Sequence, residues 1–173
     1  MATDPFTLVH NALWALLEAH QGFVNLVPAN NRIKFTGDLR APIKDQISTA
    51  DLPEVRIVPT GGEAHLKRTS NSSSVLKRWE IQVSTGDQRV DYTKGVFAVE
   101  WEILIALQDW ITALKAITWT SKPFVVTAKP ATVREGVTEA DLNRGIKGWS
   151  ALWACEVEMF FQTSDMAPVP VTP

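Results

Sequence analysis

The chain has 173 residues, 45 % hydrophobic and 21 % charged, a balance typical of one globular domain that buries its own core. A formal net charge of −2 argues against a protein that grips nucleic acid over a broad basic face. The single cysteine, Cys155, excludes an internal disulfide, and no apolar run is long enough to span a bilayer.

The first ten residues lack the basic region and long apolar core of a signal peptide. We therefore expect a soluble, cytoplasmic product with no membrane association. One domain should cover residues 1–163, followed by a flexible proline-rich tail over 164–173.

The N-terminal segment predicts a helix. Asp4 is suited to capping, Pro5 to the first helical position, and Gly22 to the end of the helix. Apolar residues recur between them at helical spacing: Phe6, Val9, Leu13, Leu16 and Leu17.

Residues 32–74 have weaker hydrophobic patterns than the first helix. Residues 32–50 fit either a short edge strand or an ordered loop. Glu54–Val58 predicts a strand that ends at Pro59 and the Gly61-Gly62 pair. The polar segment Thr60–Ser74 predicts a mobile loop or the tip of a long hairpin.

A clear strand follows, with Trp79, Ile81 and Val83 on one face, and Gly86-Asp87 closes it. A second helix is predicted from Tyr92 to Ile117. Its main apolar face comprises Val96, Val99, Ile103, Leu107, Trp110, Leu114 and Ile117, with Glu102, Asp109 and Thr112 opposite.

The same helix carries a second apolar patch, formed by Phe97, Trp101 and Leu104 and rotated away from the main face. A surface helix needs only one apolar face. We therefore predict that this patch buries a contact, either between subunits or against the segment Lys129–Gly148.

The C-terminal third predicts a strand at Phe124–Ala128 and a long alternating strand at Trp149–Phe161. Between them, Lys129–Gly148 should hold a short helix that Thr138 caps and Gly145 ends. The order of elements predicts an α+β fold, an antiparallel sheet of about four strands with two main helices packed on one face. The other sheet face should meet water or a polar partner through Arg78, Glu80, Gln82, Glu156 and Glu158.

The sequence offers little for catalysis. His10 and His20 are ten residues apart on one helix and cannot act as an i, i+4 metal pair, and His65 lies in the polar segment. Cys155 falls on the apolar face of its strand, where a thiol is inert. No nucleophile elbow surrounds Ser150, no phosphate loop follows Gly61-Gly62, and the nearby glutamates lie on a solvated strand face or on different helix sides. We expect no enzyme activity, no cofactor and no metal.

Four basic residues cluster around the polar segment: Lys67, Arg68, Lys77 and Arg78. They could serve solubility alone, or meet phosphate or an acidic protein partner. Our candidate residues for a subunit or partner interface are Phe97, Trp101 and Leu104, together with Lys67 and Arg68.

The order of these elements resembles the tail terminator and minor tail proteins of long-tailed bacteriophages over most of residues 5–162. The features that carry the resemblance are the first helix with His10-Asn11-Ala12-Leu13, the strand entry Asp51-Leu52-Pro53-Glu54-Val55, the strand with Trp79, the helix with Trp110, and the closing strands after Gly148-Trp149.

The resemblance implies a virion protein made in the host cytoplasm. Six copies would form a ring at the head-proximal end of the tail tube, stop tube growth and join the tail to the head connector. The implied partners are the protein itself, the tail tube protein and the connector, while DNA passes through the lumen without specific binding. Two alternatives stay open: a head-closure or connector protein of the same neck region, and a small ligand-binding α+β domain with a tryptophan-rich pocket.

Overall fold

The computed structural model describes residues 4–34, 53–69, 72–84, 96–117, 125–128, 132–136 and 150–162. The helices are α1 (Pro5–Ala19), α2 (Gln21–Leu26), α3 (Val96–Leu107) and α4 (Trp110–Ala116). The strands are β1 (Arg32–Ile33), β2 (Glu54–Thr69), β3 (Ser72–Ser84), β4 (Val125–Ala128), β5 (Thr132–Gly136) and β6 (Ser150–Gln162).

Helix α1 begins as the sequence predicts. The Asp4 carboxylate accepts hydrogen bonds from the backbone N–H and the hydroxyl of Thr7, at 2.9 and 2.7 Å. Partial burial raises the pKa of Asp4, but these hydrogen bonds outweigh it and bring the pKa below the usual value. The expected end at Gly22 is wrong, because His20 adopts an extended backbone and ends the helix after Ala19. Gly22 lies inside α2.

The described strands form one six-stranded sheet in the order β1-β2-β3-β6-β4, and β5 also pairs with β6. All pairs are antiparallel except β1 with β2, which is parallel. The predicted α+β class is confirmed, and the four predicted strands are present as β2, β3, β4 and β6. Of residues 32–50, Arg32 and Ile33 form the short edge strand, and β5 is a strand that the sequence pattern did not reveal.

Strand β2 does not end at Val58, because the glycines after Pro59 form a bulge instead of a turn. Pro59 pairs with Trp79 and Gly62 with Lys77, so β2 gains one residue there relative to β3. Gly61 has φ +104°, and a Cβ on Gly62 would lie 2.2 Å from the carbonyl oxygen of Leu76. Glycine is therefore required at both positions.

Beyond the bulge, β2 and β3 continue as a long hairpin up to Thr69 and Ser72. The loop interpretation of Thr60–Ser74 is therefore wrong, and the hairpin interpretation is right. Ser73 and Ser74 are buried, which the serine-rich composition did not suggest.

The core lies between one face of the sheet and the helices. Strands β2, β3 and β6 contribute buried side chains at alternate positions: Val55, Ile57, Trp79, Ile81, Val83, Val157, Met159 and Phe161. The helices contribute Val9, Leu13, Trp14, Leu17, Phe23, Val99, Ile103, Leu107, Trp110 and Leu114. The alternation predicted for β3 and the main face predicted for the second helix are thus confirmed where side chains are described.

The opposite sheet face is less exposed than predicted. Arg78 is exposed, and Glu80, Gln82 and Glu158 are half-buried. At one end of this face, Glu54 and Ser84 pair across the strands and are buried. The Glu54 carboxylate accepts hydrogen bonds from Nε of Arg56, at 3.0 Å, and from Nη2 of the same side chain. Burial of this carboxylate requires such a partner.

The predicted second helix is two helices. The described part of Tyr92–Ile117 contains α3 and α4 with a turn at Gln108 and Asp109 between them. The N–H of Gln108 bonds to the carbonyl of Ile105, a tighter spacing than in an α-helix, and Asp109 leaves helical geometry at φ −90°, ψ 7°. The apolar period continues across the turn, so the sequence did not show the break.

Several predictions lie outside the described residues. They are the start of the second helix at residues 92–95, the short helix with Thr138 and Gly145, and the proline-rich tail over 164–173.

Candidate interaction surface on the third helix

Helix α3 is buried on most of its circumference. Ten of its twelve residues are apolar, and the sequence VFAVEWEILIAL has no basic residue. Ala98, Val99, Ile103, Ala106 and Leu107 are all buried. A helix packed on so many sides needs apolar residues almost throughout, which explains the composition.

The part of α3 that remains exposed is also apolar. Phe97, Trp101 and Leu104 are 38 %, 60 % and 39 % exposed. Their i, i+4, i+7 spacing keeps them within an arc of about 60° at about 100° per residue. We call these three residues the α3 stripe.

A contiguous apolar stripe indicates a binding surface, whereas a single exposed leucine does not. Isolated exposed apolar residues are normal, but anchors spaced i, i+4, i+7 are those with which helices dock into apolar grooves. Covering a side chain such as Trp101 removes on the order of 100 Å² of apolar surface, worth roughly 2–3 kcal/mol. The stripe can therefore supply binding energy to a protein contact.

A histidine–glutamate contact connects α3 to the first two helices. Nε2 of His20, at the α1–α2 junction, lies 2.5 Å from Oε2 of Glu102. Both side chains are about one quarter exposed. Glu102 was predicted on the solvent side of its helix, and it packs instead over α2. The sequence could not show this contact, because it joins residues 82 positions apart.

Gly22 makes room for this contact, since a Cβ there would lie 1.9 Å from Oε2 of Glu102. We expect Gly22→Ala to destabilise the wild-type fold, because the carboxylate must move away from His20. In a Glu102→Ala background the same change should stabilise α2 by up to about 1 kcal/mol, because alanine favours a helix over glycine. Urea unfolding of the four proteins of this cycle measures both effects. An unchanged sign in the two backgrounds would contradict the packing described here.

The basic candidates are on a different element from the stripe. Lys67 and Arg68 belong to the hairpin end of β2, where the backbone is described but the side chains are not. Lys77 lies over the ring of Phe6 at 5.9 Å, and Arg78 is exposed on β3. Within the described residues, the stripe side chains share one surface and the basic candidates belong to the hairpin.

Two further apolar side chains are exposed. Ile111 on α4, which the sequence analysis did not single out, is 48 % exposed, and Phe6, which was assigned to the apolar face of α1, is 36 % exposed. Ile111 follows Leu104 by seven residues, a heptad step that could have drawn attention to it.

The described residues hold no group of three or more His, Cys, Asp or Glu side chains that could bind a metal ion. Burial lowers the pKa of His10 on α1, because it disfavours the charged imidazolium. The backbone of Cys155 pairs with Trp79 in the middle of the sheet. Among the described helices, none is both long enough and apolar enough to cross a membrane.

Neither a protein-family model nor a curated protein matches this sequence. The function is therefore inferred from the exposed α3 stripe and from the resemblance in the order of elements.

Proposed function

We propose that the chain is a virion structural protein, the tail terminator of a long-tailed bacteriophage. Copies of it form a ring, with six subunits by the resemblance, at the head-proximal end of the tail tube. The ring stops tube growth and joins the tail to the head connector. The α3 stripe buries a contact between its subunits.

The exposed stripe is the observation that carries this proposal. Three large apolar side chains on one arc of a well-packed helix favour a protein contact over a soluble monomer with no partner. The order helix, strand, strand, helix, strand, strand, on which the resemblance rests, is also the order of the main described elements. The elements that match it are α1, β2, β3, α3, β4 and β6, while the described α2, α4, β1 and β5 are additional to it.

The charge of the chain agrees with this role. A ring around a DNA channel must let DNA slide, and each basic contact to phosphate would increase retention. A formal net charge of −2 gives no strong attraction for the polyanion. DNA therefore passes through the lumen without specific binding, and the partners are the tail tube protein, the connector protein and the chain itself.

Particles assembled without the chain test this proposal. A missing terminator should yield tail tubes of irregular, mostly excessive length that are not joined to filled heads, because nothing stops tube growth. Electron micrographs give the length distribution, and supplying the chain in trans should restore a single length. Tails of normal length beside unjoined heads would contradict the proposal and favour a head-closure or connector protein.

A further inference from the structure

We propose that copies of this chain join edge to edge through their sheets. The outer edge of β2 beyond the bulge, Gly62–Thr69, would meet β4 of the next copy, whose four residues would pair with Gly62–His65. We call Gly62–Thr69 the arm. This inference rests on the self-assembly in the proposed function and specifies the backbone surfaces that make one of its contacts.

The arm is an exposed edge. Among the described strands, only β3 pairs with it, and Gly61, Gly62, Glu63 and Ala64 are all exposed. Successive residues of a strand point to opposite faces, so exposure at consecutive positions means that both faces reach solvent there. Backbone N–H and C=O groups along such an edge are a template for another strand.

The first half of β2 is protected, in contrast. Strand β1 pairs with Val55 and Arg56, and Arg32 holds β1 in place by donating to the carbonyls of Val27 and Val24 at 2.9 and 3.2 Å. Pro59 and the bulge then interrupt the edge. Proline and bulges are features with which natural sheets block pairing. Among the described strands, none except β3 pairs with β2 from Gly62 onward.

The opposite edge of the sheet is formed by β4 and β5. Both pair with β6, whose other side is occupied by β3 along its whole length. Strand β4 reads Val-Val-Thr-Ala, which has no charge and three β-branched residues. Such a segment has a high strand propensity. Its own four residues include neither lysine nor proline, the residues that shield an edge, while Lys122-Pro123 and Lys129-Pro130 lie on either side of it in the sequence.

The two edges of the sheet have residues in the same register rows. The registers place Glu63, Leu76, Glu158 and Thr127 in one row across β2, β3, β6 and β4. The β2 bulge lies opposite Arg78, which pairs with Glu156, and is therefore beyond the end of β4, whose last residue, Ala128, is opposite Val157. An arm and a neighbouring β4 can therefore meet without a shift along the strands.

The strand directions also match. Strands β2, β3, β6 and β4 alternate in direction, so the two edges run opposite to each other. Copies related by rotation about an axis parallel to the strands keep their directions, and an arm would meet the next β4 antiparallel. Antiparallel pairing is the more stable kind, and a head-to-tail contact repeated around such an axis forms a ring when the rotation closes. These matches favour a second copy as the occupant.

Disulfide trapping tests the contact. Glu63→Cys and Thr127→Cys are combined in a Cys155→Ala background, and the protein is oxidised and run on a non-reducing gel. Within one chain the two positions are three strand spacings apart, about 14 Å, which is too far for a disulfide. Every cross-link is therefore between copies. We expect a ladder of covalent oligomers that collapses to monomer on reduction.

Two controls show whether the ladder of cross-linked oligomers comes from edge pairing. Glu63→Cys with Lys115→Cys, on the exposed end of α4, reports random collision, and circular dichroism confirms that each variant is folded. A double variant that cross-links no more than this control overturns edge pairing. Equal dimer formation by Glu63→Cys alone also overturns it, because that result indicates a symmetric arm–arm contact.

Electron micrographs of the unmodified protein from the same preparations separate this inference from the proposed function. Rings without cross-linking of the double variant would overturn edge pairing and leave the ring intact. A cross-linked ladder without rings would support the edge contact and contradict the closed ring.

Discussion

Replacing Trp101 with alanine is expected to leave the melting temperature close to that of the wild type and to abolish tail capping. Trp101 is 60 % exposed in the single chain, so truncation removes little core packing. In an assembled ring the same side chain would be a central anchor of the contact. Truncation of such anchors costs 2 kcal/mol or more, roughly a 30-fold loss of affinity for each contact.

The measurement combines calorimetry of the variant with the length distribution of tails that it is supplied to cap. We expect tails of irregular length together with a normal thermal transition. Phe6→Ala is the matched control, an exposed aromatic outside α3. It should preserve a single tail length. A sharp fall in melting temperature for Trp101→Ala, or normal capping by this variant, would show that the stripe is not the subunit contact.

Replacing Trp79 with alanine should have the opposite pattern, with a large loss of stability. Trp79 is 1 % exposed at the centre of β3, in register with Pro59 on β2 and Cys155 on β6. Truncating a core aromatic typically costs about 3–5 kcal/mol, because the vacated volume is not refilled. For a domain of this size the melting temperature should fall by roughly 6–20 °C.

Urea unfolding gives the free energy directly, and Trp79→Phe provides the conservative comparison with a smaller loss. A loss under about 1 kcal/mol for Trp79→Ala would contradict the packing of β3 against the helices. Trp79 and Trp101 are the same residue type at the two extremes of burial. Measuring both separates the role of tryptophan in folding from its role in assembly.

The sequence was informative where local chemistry decides the structure. Asp4 and Pro5 predicted the start of α1, and alternation at Trp79, Ile81 and Val83 identified both a strand and its buried face. The α3 stripe could be located because helical geometry alone separates Phe97 from Val96 and Val99. Helical geometry does not say what covers the stripe, since both a second subunit and the segment Lys129–Gly148 were predicted as its contact.

The errors arose where a local signal has two structural outcomes. Glycines after a proline end a strand or form a bulge, and only the approach of Leu76 to Gly62 decides between them. An apolar period continues through a helix break, as it does from Leu107 to Trp110. The five residues of β5 become a strand because β6 lies beside them, a contact that no local pattern encodes.

The central position of β6 has a consequence for the order of folding during synthesis. Strand β6 pairs with β3 on one side and with both β4 and β5 on the other, yet it follows all the other described strands in the chain. Its pairs with β3 join residues as far apart as Ser72 and Gln162. The hairpin can form early, but β4 and β5 have no described partner until β6 leaves the ribosome. Such long-range pairing folds slowly, so the edge of β3 that pairs with β6 stays open while residues 85–149 are synthesised.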